Sequence, residues 1–277
     1  MTLSPPRAAL RLALYAGLTL PLMPVQALLL LLGGRRAEAL PRWYHAACCR
    51  LLGFDVVVHG APSPARPTLF VANHVSYLDI TVLSALAPVC FVAKREVASW
   101  PLFGWLARLQ RTVFVGRDRQ AVHDERDSLA DALRAGRNLV LFPEATSHDG
   151  VRLRPFKSAL LAAAEHAPGG RPLAVQPVTI AYTRLDAMPL GRHLRPRLAW
   201  YGDMDLMPHL AAALGLGRVT VEVVFHEPVT LARFGSRKAL ARHCEAAIGQ
   251  ALAELNAGRR GGRLDSRPGA ASFPSSP

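Results

Sequence analysis

Short apolar runs recur along the chain beyond Gly53, and nearly every one ends in a cluster of polar residues. They are Phe54 to Val58, Thr68 to Ala72, Val89 to Ala93, Thr112 to Val115, Asn138 to Phe142, Leu173 to Tyr182, Arg197 to Trp200 and Val219 to Phe225. Each has the length and composition of a buried strand. Between them the pattern predicts helices near Leu78 to Leu86, Leu102 to Leu109, Ala121 to Ala135, Ser158 to His166 and Arg237 to Leu255. Strand and helix taking turns means an α/β domain, with its site in the loops at the strand ends.

The densest such loop is Asn73-His74-Val75-Ser76-Tyr77-Leu78-Asp79, directly after the run Thr68 to Ala72. A histidine accepts a proton near neutral pH, and a carboxylate on its far ring nitrogen would fix the tautomer and stabilise the imidazolium. On a regular helix His74 and Asp79 would point about 140° apart. The spacing therefore predicts His74 in a strand-to-helix turn and Asp79 in the first turn of a helix through Ile80 to Ala87, stopped by Pro88.

Four readings compete for this loop. Ser76 as a nucleophile is disfavoured, because residues two apart face each other in neither a strand nor a helix. A metal site lacks further ligands, since Cys48, Cys49, Cys90 and Cys244 have no ligand spacing. A histidine that merely caps a helix is the bland alternative. A general base acting on the hydroxyl of a bound substrate is the reading kept.

From Leu12 to Leu32 the chain carries no formal charge, with Arg7 and Arg11 before it and Arg35 and Arg36 after it. That length spans a bilayer at ~1.5 Å per residue, or lies in one leaflet kinked at Pro21 and Pro24. A cleaved signal peptide is the alternative, and the stretch exceeds the usual ~7 to 15 apolar residues. A retained anchor is expected, with its topology open because basic residues flank both ends. Pro41 to Leu52, with Trp43, Tyr44, Arg42 and Arg50, reads as an interfacial helix. Residues 1–53 thus form a membrane-anchoring helical segment, 54–256 the catalytic domain, and 257–277 a disordered tail rich in Gly, Arg, Ser and Pro.

The net charge of +13 calls for a polyanionic partner, either an anionic membrane surface or a nucleic acid. Only 3 of the 33 basic residues are lysine, so part of the excess is ascribed to an arginine-rich genome composition; no basic run is interleaved with aromatics and no nucleic-acid motif is found, so no nucleic-acid partner is expected. The cysteines form no disulfide framework, which fits a reduced, cytoplasm-facing domain.

Other strand ends repeat the pattern. Lys94 and Arg95 follow one run, Arg117 follows another, and Pro143-Glu144-Ala145-Thr146-Ser147 follows a third. Were these strands neighbours, one crevice would gather a base, a carboxylate and cations suited to a phosphate.

Asn73 to Asp79 resembles the His-x4-Asp motif of the glycerolipid acyltransferases, in particular the bacterial 1-acylglycerol-3-phosphate acyltransferases. Phe142-Pro143-Glu144-Ala145-Thr146 is similar to that family's Phe-Pro-Glu-Gly-Thr-Arg block. Lys94 with Pro101 and Gly104, Phe114 to Arg117, Pro155-Phe156-Lys157 and Val175-Gln176-Pro177-Val178 follow in family order. The resemblance implies one acyltransferase domain with a central mixed sheet flanked by helices. It also implies acyl transfer from acyl carrier protein or coenzyme A to the hydroxyl of a lysolipid, at the inner membrane and with no cofactor or metal. His74 would be the base and Asp79 its orienting partner, with Lys94 and Arg117 binding phosphate and Glu144, Ala145, Thr146 and Ser147 placing the acceptor.

Two positions depart from that pattern: Ala145 stands for the family's glycine, and Ser147 for an arginine. One phosphate ligand is thereby lost, worth on the order of 1.5 to 3 kcal/mol unless Arg152 or Arg154 replaces it. Lysophosphatidate is the first expectation for the acceptor. The stretch Thr146 to Gly150, with Trp200 to Met204, resembles the lyso-ornithine lipid branch as well. A headgroup-binding membrane protein without catalysis is the alternative of another class. Backbone amides of the His74 turn are candidates to hold an oxyanion.

Overall fold

A computed structural model describes residues 4–34, 36–116, 122–165 and 168–259. Two helices come first, α1 (Pro5–Leu32) and α2 (Arg36–Leu52). Strands β1 (Phe54–His59) and β2 (Thr68–Ala72) lead to α3 (Leu78–Leu86), and β3 (Cys90–Lys94) leads to α4 (Phe103–Leu109). Then follow β4 (Val113–Val115), α5 (Val122–Arg134), β5 (Leu139–Leu141), β6 (Ala174–Leu185) and β7 (Met188–Pro189). The chain closes with α6 (Leu206–Leu214), β8 (Val219–Phe225) and α7 (Arg237–Asn256).

The sheet is mixed, in the order β1-β8-β6-β2-β5-β3-β4, with β7 hairpinned onto β6. Strands β6, β2, β5, β3 and β4 pair in parallel, so their C-terminal ends share one edge. This places the ends of β2, β5, β3 and β4 side by side, the neighbourhood that the strand-end pattern required. β2 is buried along its whole length because helices cover both faces. Phe70 and Ala72 face a core with Leu78, Val82 and Leu83 of α3, while Leu69 and Val71 face one with Leu240 and Ile248 of α7.

Some expectations change. Arg197 to Trp200 is not a strand: a 3₁₀ turn covers Arg195–Arg197, and the Trp200 amide donates instead to the Val75 carbonyl, 3.0 Å. Ser158–Glu165 is wound as a 3₁₀ helix rather than an α-helix, and α6 was not anticipated. The helix expected over Pro41 to Leu52 begins at Arg36 and buries Ala46, Cys48, Cys49 and Leu52 in the domain, so only part of its surface, including Trp43, faces outward. The expected tail lies outside the described residues beyond Arg259.

α1 inverts the usual order of a surface helix. Its buried residues are the polar Thr19 and Gln26, whereas Leu10, Leu14, Leu20, Leu28, Leu31 and Leu32 are exposed. Thr19 Oγ1 meets Tyr44 Oη at 2.9 Å, and Gln26 Nε2 donates to the carbonyls of Ala37 and Leu109. Near its start, Arg11 donates to the carbonyls of Leu214 and Leu216 at the end of α6. The helix thus lies along the domain with its apolar side out. Among the described residues it is the one helix long and apolar enough to cross a membrane.

Candidate active site

β2 delivers its polar loop into the parallel edge. Asn73 extends the strand by imitation: its amide side chain donates to Ile180 O (2.9 Å) and accepts from Ile180 N (2.8 Å). The chain then turns, as the spacing of His74 and Asp79 required, and α3 begins at Leu78.

His74 Nδ1 lies 2.9 Å from Asp79 Oδ2. That oxygen also accepts from the amides of Val75 (2.7 Å) and Ser76 (3.0 Å), so Asp79 folds the loop back around itself. Its other oxygen, Oδ1, accepts from the phenol of Tyr182 on β6 at 2.9 Å. Asp79 is 0% exposed, and these four donors are what lets a carboxylate be buried there. Burial, with the Asp79 charge beside it, holds the Tyr182 phenol well above its ordinary pKa, so it stays a donor.

An ionised carboxylate can only accept, so the Nδ1 contact places the histidine proton on Nδ1 and leaves Nε2 with its lone pair. The imidazole is stacked on Phe142, with centroids 4.0 Å apart, and its side chain is 19% exposed. A ring fixed on one nitrogen, packed on one face and still open to solvent has the arrangement a general base needs.

The β5 loop grips the backbone of the same histidine. Glu144 accepts from the amide of His74 (2.8 Å) and from that of Arg154 (2.8 Å), and the His148 amide donates to His74 O at 2.9 Å. Burial raises the Glu144 carboxyl, against these two amides that lower it. Glu144 therefore clamps the loop through these two amides. Ser147 is buried and its hydroxyl donates to the Trp200 carbonyl, and Thr146 Oγ1 makes only a long contact of 3.5 Å to Ser147 O. Ala145 adopts φ 60°, a conformation where glycine is at ease and an alanine is strained.

Lys94 ends β3 with its side chain exposed, and β5 separates its strand from that of His74. Arg117 lies outside the described residues. The amides of residues 74, 75 and 76 all serve Glu144 or Asp79, so these three are not available to an oxyanion. Tyr182 was missed, and no local pattern could have found it, since it stands 103 residues from Asp79.

Beyond the stacked rings, Phe142 lies over Phe91 at 6.3 Å, and Phe91 lines an apolar cavity of about 220 Å³. Residues of α1, α2, α3 and α4 form its walls, among them Leu22, Met23, Leu78 and Leu106.

A family model described as Acyltransferase matches residues 55–181. A lyso-ornithine lipid O-acyltransferase from Brucella abortus (strain 2308) is 45% identical over 91% of this chain and 96% of its own. One from Rhizobium meliloti (strain 1021) is 44% identical over 93% and 88%. A 1-acyl-sn-glycerol-3-phosphate acyltransferase from Neisseria gonorrhoeae is 34% identical over 73% and 76%. The crystal structure of the 1-acyl-sn-glycerophosphate acyltransferase PlsC from Thermotoga maritima shares the fold, with a TM-score of 0.66 at 21% identity over 94% of this chain and 98% of that one.

Proposed function

The chain belongs to the acyltransferase family of these relatives, and we propose that it moves a fatty acyl group from a thioester to the free hydroxyl of a lysolipid. The observation that carries this is the His74–Asp79 pair at 2.9 Å, with the ring open on its far side. Nε2 of His74 takes the proton of the acceptor hydroxyl as its oxygen attacks the thioester carbonyl. Collapse of the tetrahedral intermediate breaks the carbon–sulfur bond, and the imidazolium returns its proton to the leaving thiolate. Asp79 stabilises the imidazolium in between, and Tyr182 keeps Asp79 in place.

For the acceptor we favour a lyso-ornithine lipid over lysophosphatidate. The relatives so named are 45% and 44% identical against 34%, which reverses the order expected from sequence. Ser147, where the resemblance looks for an arginine, supports the same choice, because its buried hydroxyl is held by Trp200. The donor is an acyl carrier protein or coenzyme A thioester, whose chain would enter the apolar cavity beside Phe91. α1 would lie within one leaflet of the cytoplasmic membrane, because its contacts with the domain run from Arg7 to Gln26 and leave only its apolar side for lipid.

The test is turnover of purified protein offered both lysolipids with a thioester donor. His74→Ala should abolish transfer while lipid binding survives. Unchanged turnover in that variant would overturn the general-base assignment, and faster transfer to lysophosphatidate would overturn the choice of acceptor.

A further inference from the structure

The N-terminal edge of the sheet, opposite His74, holds a second concentration of charge. Arg42, Arg66, Arg111 and Arg137 line one recess there together with Glu38 and Asn138. Glu38 bridges two of the guanidiniums, receiving Arg66 Nη2 at 2.9 Å and Arg111 Nη2 at 3.2 Å. Arg42 donates from Nε to the Ala85 carbonyl, 3.4 Å, at the end of α3. Burial alone would raise the Glu38 carboxyl, and the two arginines outweigh it and hold it low.

One carboxylate faces four guanidiniums, so the recess carries an excess of positive charge. Each guanidinium has five N–H groups in a planar fork, and the contacts just described engage few of them. The recess is small, about 20 Å³, with room for a water rather than a headgroup, so an anion would rest across its mouth. Arg66 and Arg111 keep 45% and 31% side-chain exposure there.

Its position picks out the source of the anion. Gln26 of α1 donates to Ala37 and Leu109, and both of these residues line the recess. The end of α1 just beyond, at Leu28, Leu31 and Leu32, is exposed and apolar, and so is Trp43, the residue after Arg42. A ring of arginines bordered by exposed leucines and a tryptophan has the layout of a site at the level of lipid headgroups.

We propose that this arginine recess binds the phosphate of an anionic phospholipid, at a site separate from the catalytic edge. The proposal rests on α1 meeting the membrane and is independent of the acyl-transfer chemistry. A free phosphate would satisfy the same donors, so the experiment separates the two sources.

Flotation of the full-length protein is measured with vesicles of phosphatidylcholine alone and of phosphatidylcholine with phosphatidylglycerol. Arg66→Lys/Arg111→Lys keeps every charge and removes the fork. It should weaken binding to the phosphatidylglycerol vesicles by about tenfold, leave phosphatidylcholine binding unchanged, and leave acyl transfer to detergent-dispersed substrate unchanged. A second pair, Arg42→Lys/Arg137→Lys, leaves the Glu38 bridges intact and should act in the same direction even if the first pair unsettles the fold. Lysine variants that bind as tightly as the original chain would overturn the site in favour of diffuse attraction. Displacement from the vesicles by inorganic phosphate as effective as by phosphatidylglycerol headgroup would overturn the lipid as its source. Loss of acyl transfer in His74→Ala with vesicle binding intact keeps the two proposals apart.

Discussion

The Tyr182 phenol donates to Oδ1 of Asp79 at 2.9 Å, while His74 holds Oδ2 of the same carboxylate. A residue from the C-terminal half of β6 thus completes a chain of contacts from the buried sheet to a solvent-facing imidazole.

Tyr182→Phe removes that donor and leaves one oxygen of a fully buried carboxylate without it. A hydrogen bond to a charged group is worth about 1.5 to 3 kcal/mol, so kcat should fall roughly 10- to 100-fold with KM little changed. A change in kcat of twofold or less would reduce Tyr182 to packing.

Glu144→Gln tests the clamp. A glutamine can accept from only one of the two amides now bound, at His74 or Arg154. Unfolding in urea should show a loss on the order of 1 to 3 kcal/mol, with kcat falling and acceptor KM nearly constant. A rise confined to acceptor KM would return Glu144 to the role that the family resemblance implied.

His45 on α2 gives a pH dependence. Burial pushes its imidazole down from 6.5 to about 4, and its Nδ1 has no partner among the described residues. The folded protein keeps His45 neutral while the unfolded chain takes up a proton below 6.5, so stability is constant above that pH and declines toward pH 4. The decline contributed by this group is at most about 3 kcal/mol. His45→Gln should flatten that part of the curve, and an unaltered slope would assign it to other groups.

Leu28, Leu31 and Leu32 are exposed by 56%, 86% and 73%. Serine at any one of them should weaken vesicle binding by about tenfold, the cost of taking a leucine side chain from hydrocarbon. Gln26→Leu should instead destabilise the fold, because its amide holds Ala37 and Leu109. Equal flotation of the leucine variants and the original chain would remove α1 from the membrane.

Much of this architecture was legible because the signals were local. The run Thr68 to Ala72 is buried along its whole length, and its strand matches the sequence pattern residue for residue, while several other strands shift by one to three residues at their ends. The spacing of His74 and Asp79 dictated a turn between them, and the turn is there. What escaped was set by contacts distant in the chain. Leu198 and Ala199 are buried like strand residues, yet the Trp200 amide binds the Val75 carbonyl and no strand forms. Helix α6 was hidden by Pro208, although Asp205 and Gly215 at its two ends were the available cues. The His74 amide is claimed by Glu144, far along the chain, a contact that no local pattern shows.

The grip of Arg7 and Arg11 on the last carbonyls around α6 has a practical corollary. Tyr15, Thr19, Leu22 and Met23 form one wall of the apolar cavity, so deleting the first helix would not yield a water-soluble enzyme with its chemistry intact. It would unroof the cavity proposed for the fatty chain and strip the neighbouring helix end of its cap. The proposed acyl transfer is therefore to be measured on the chain with its first helix in place.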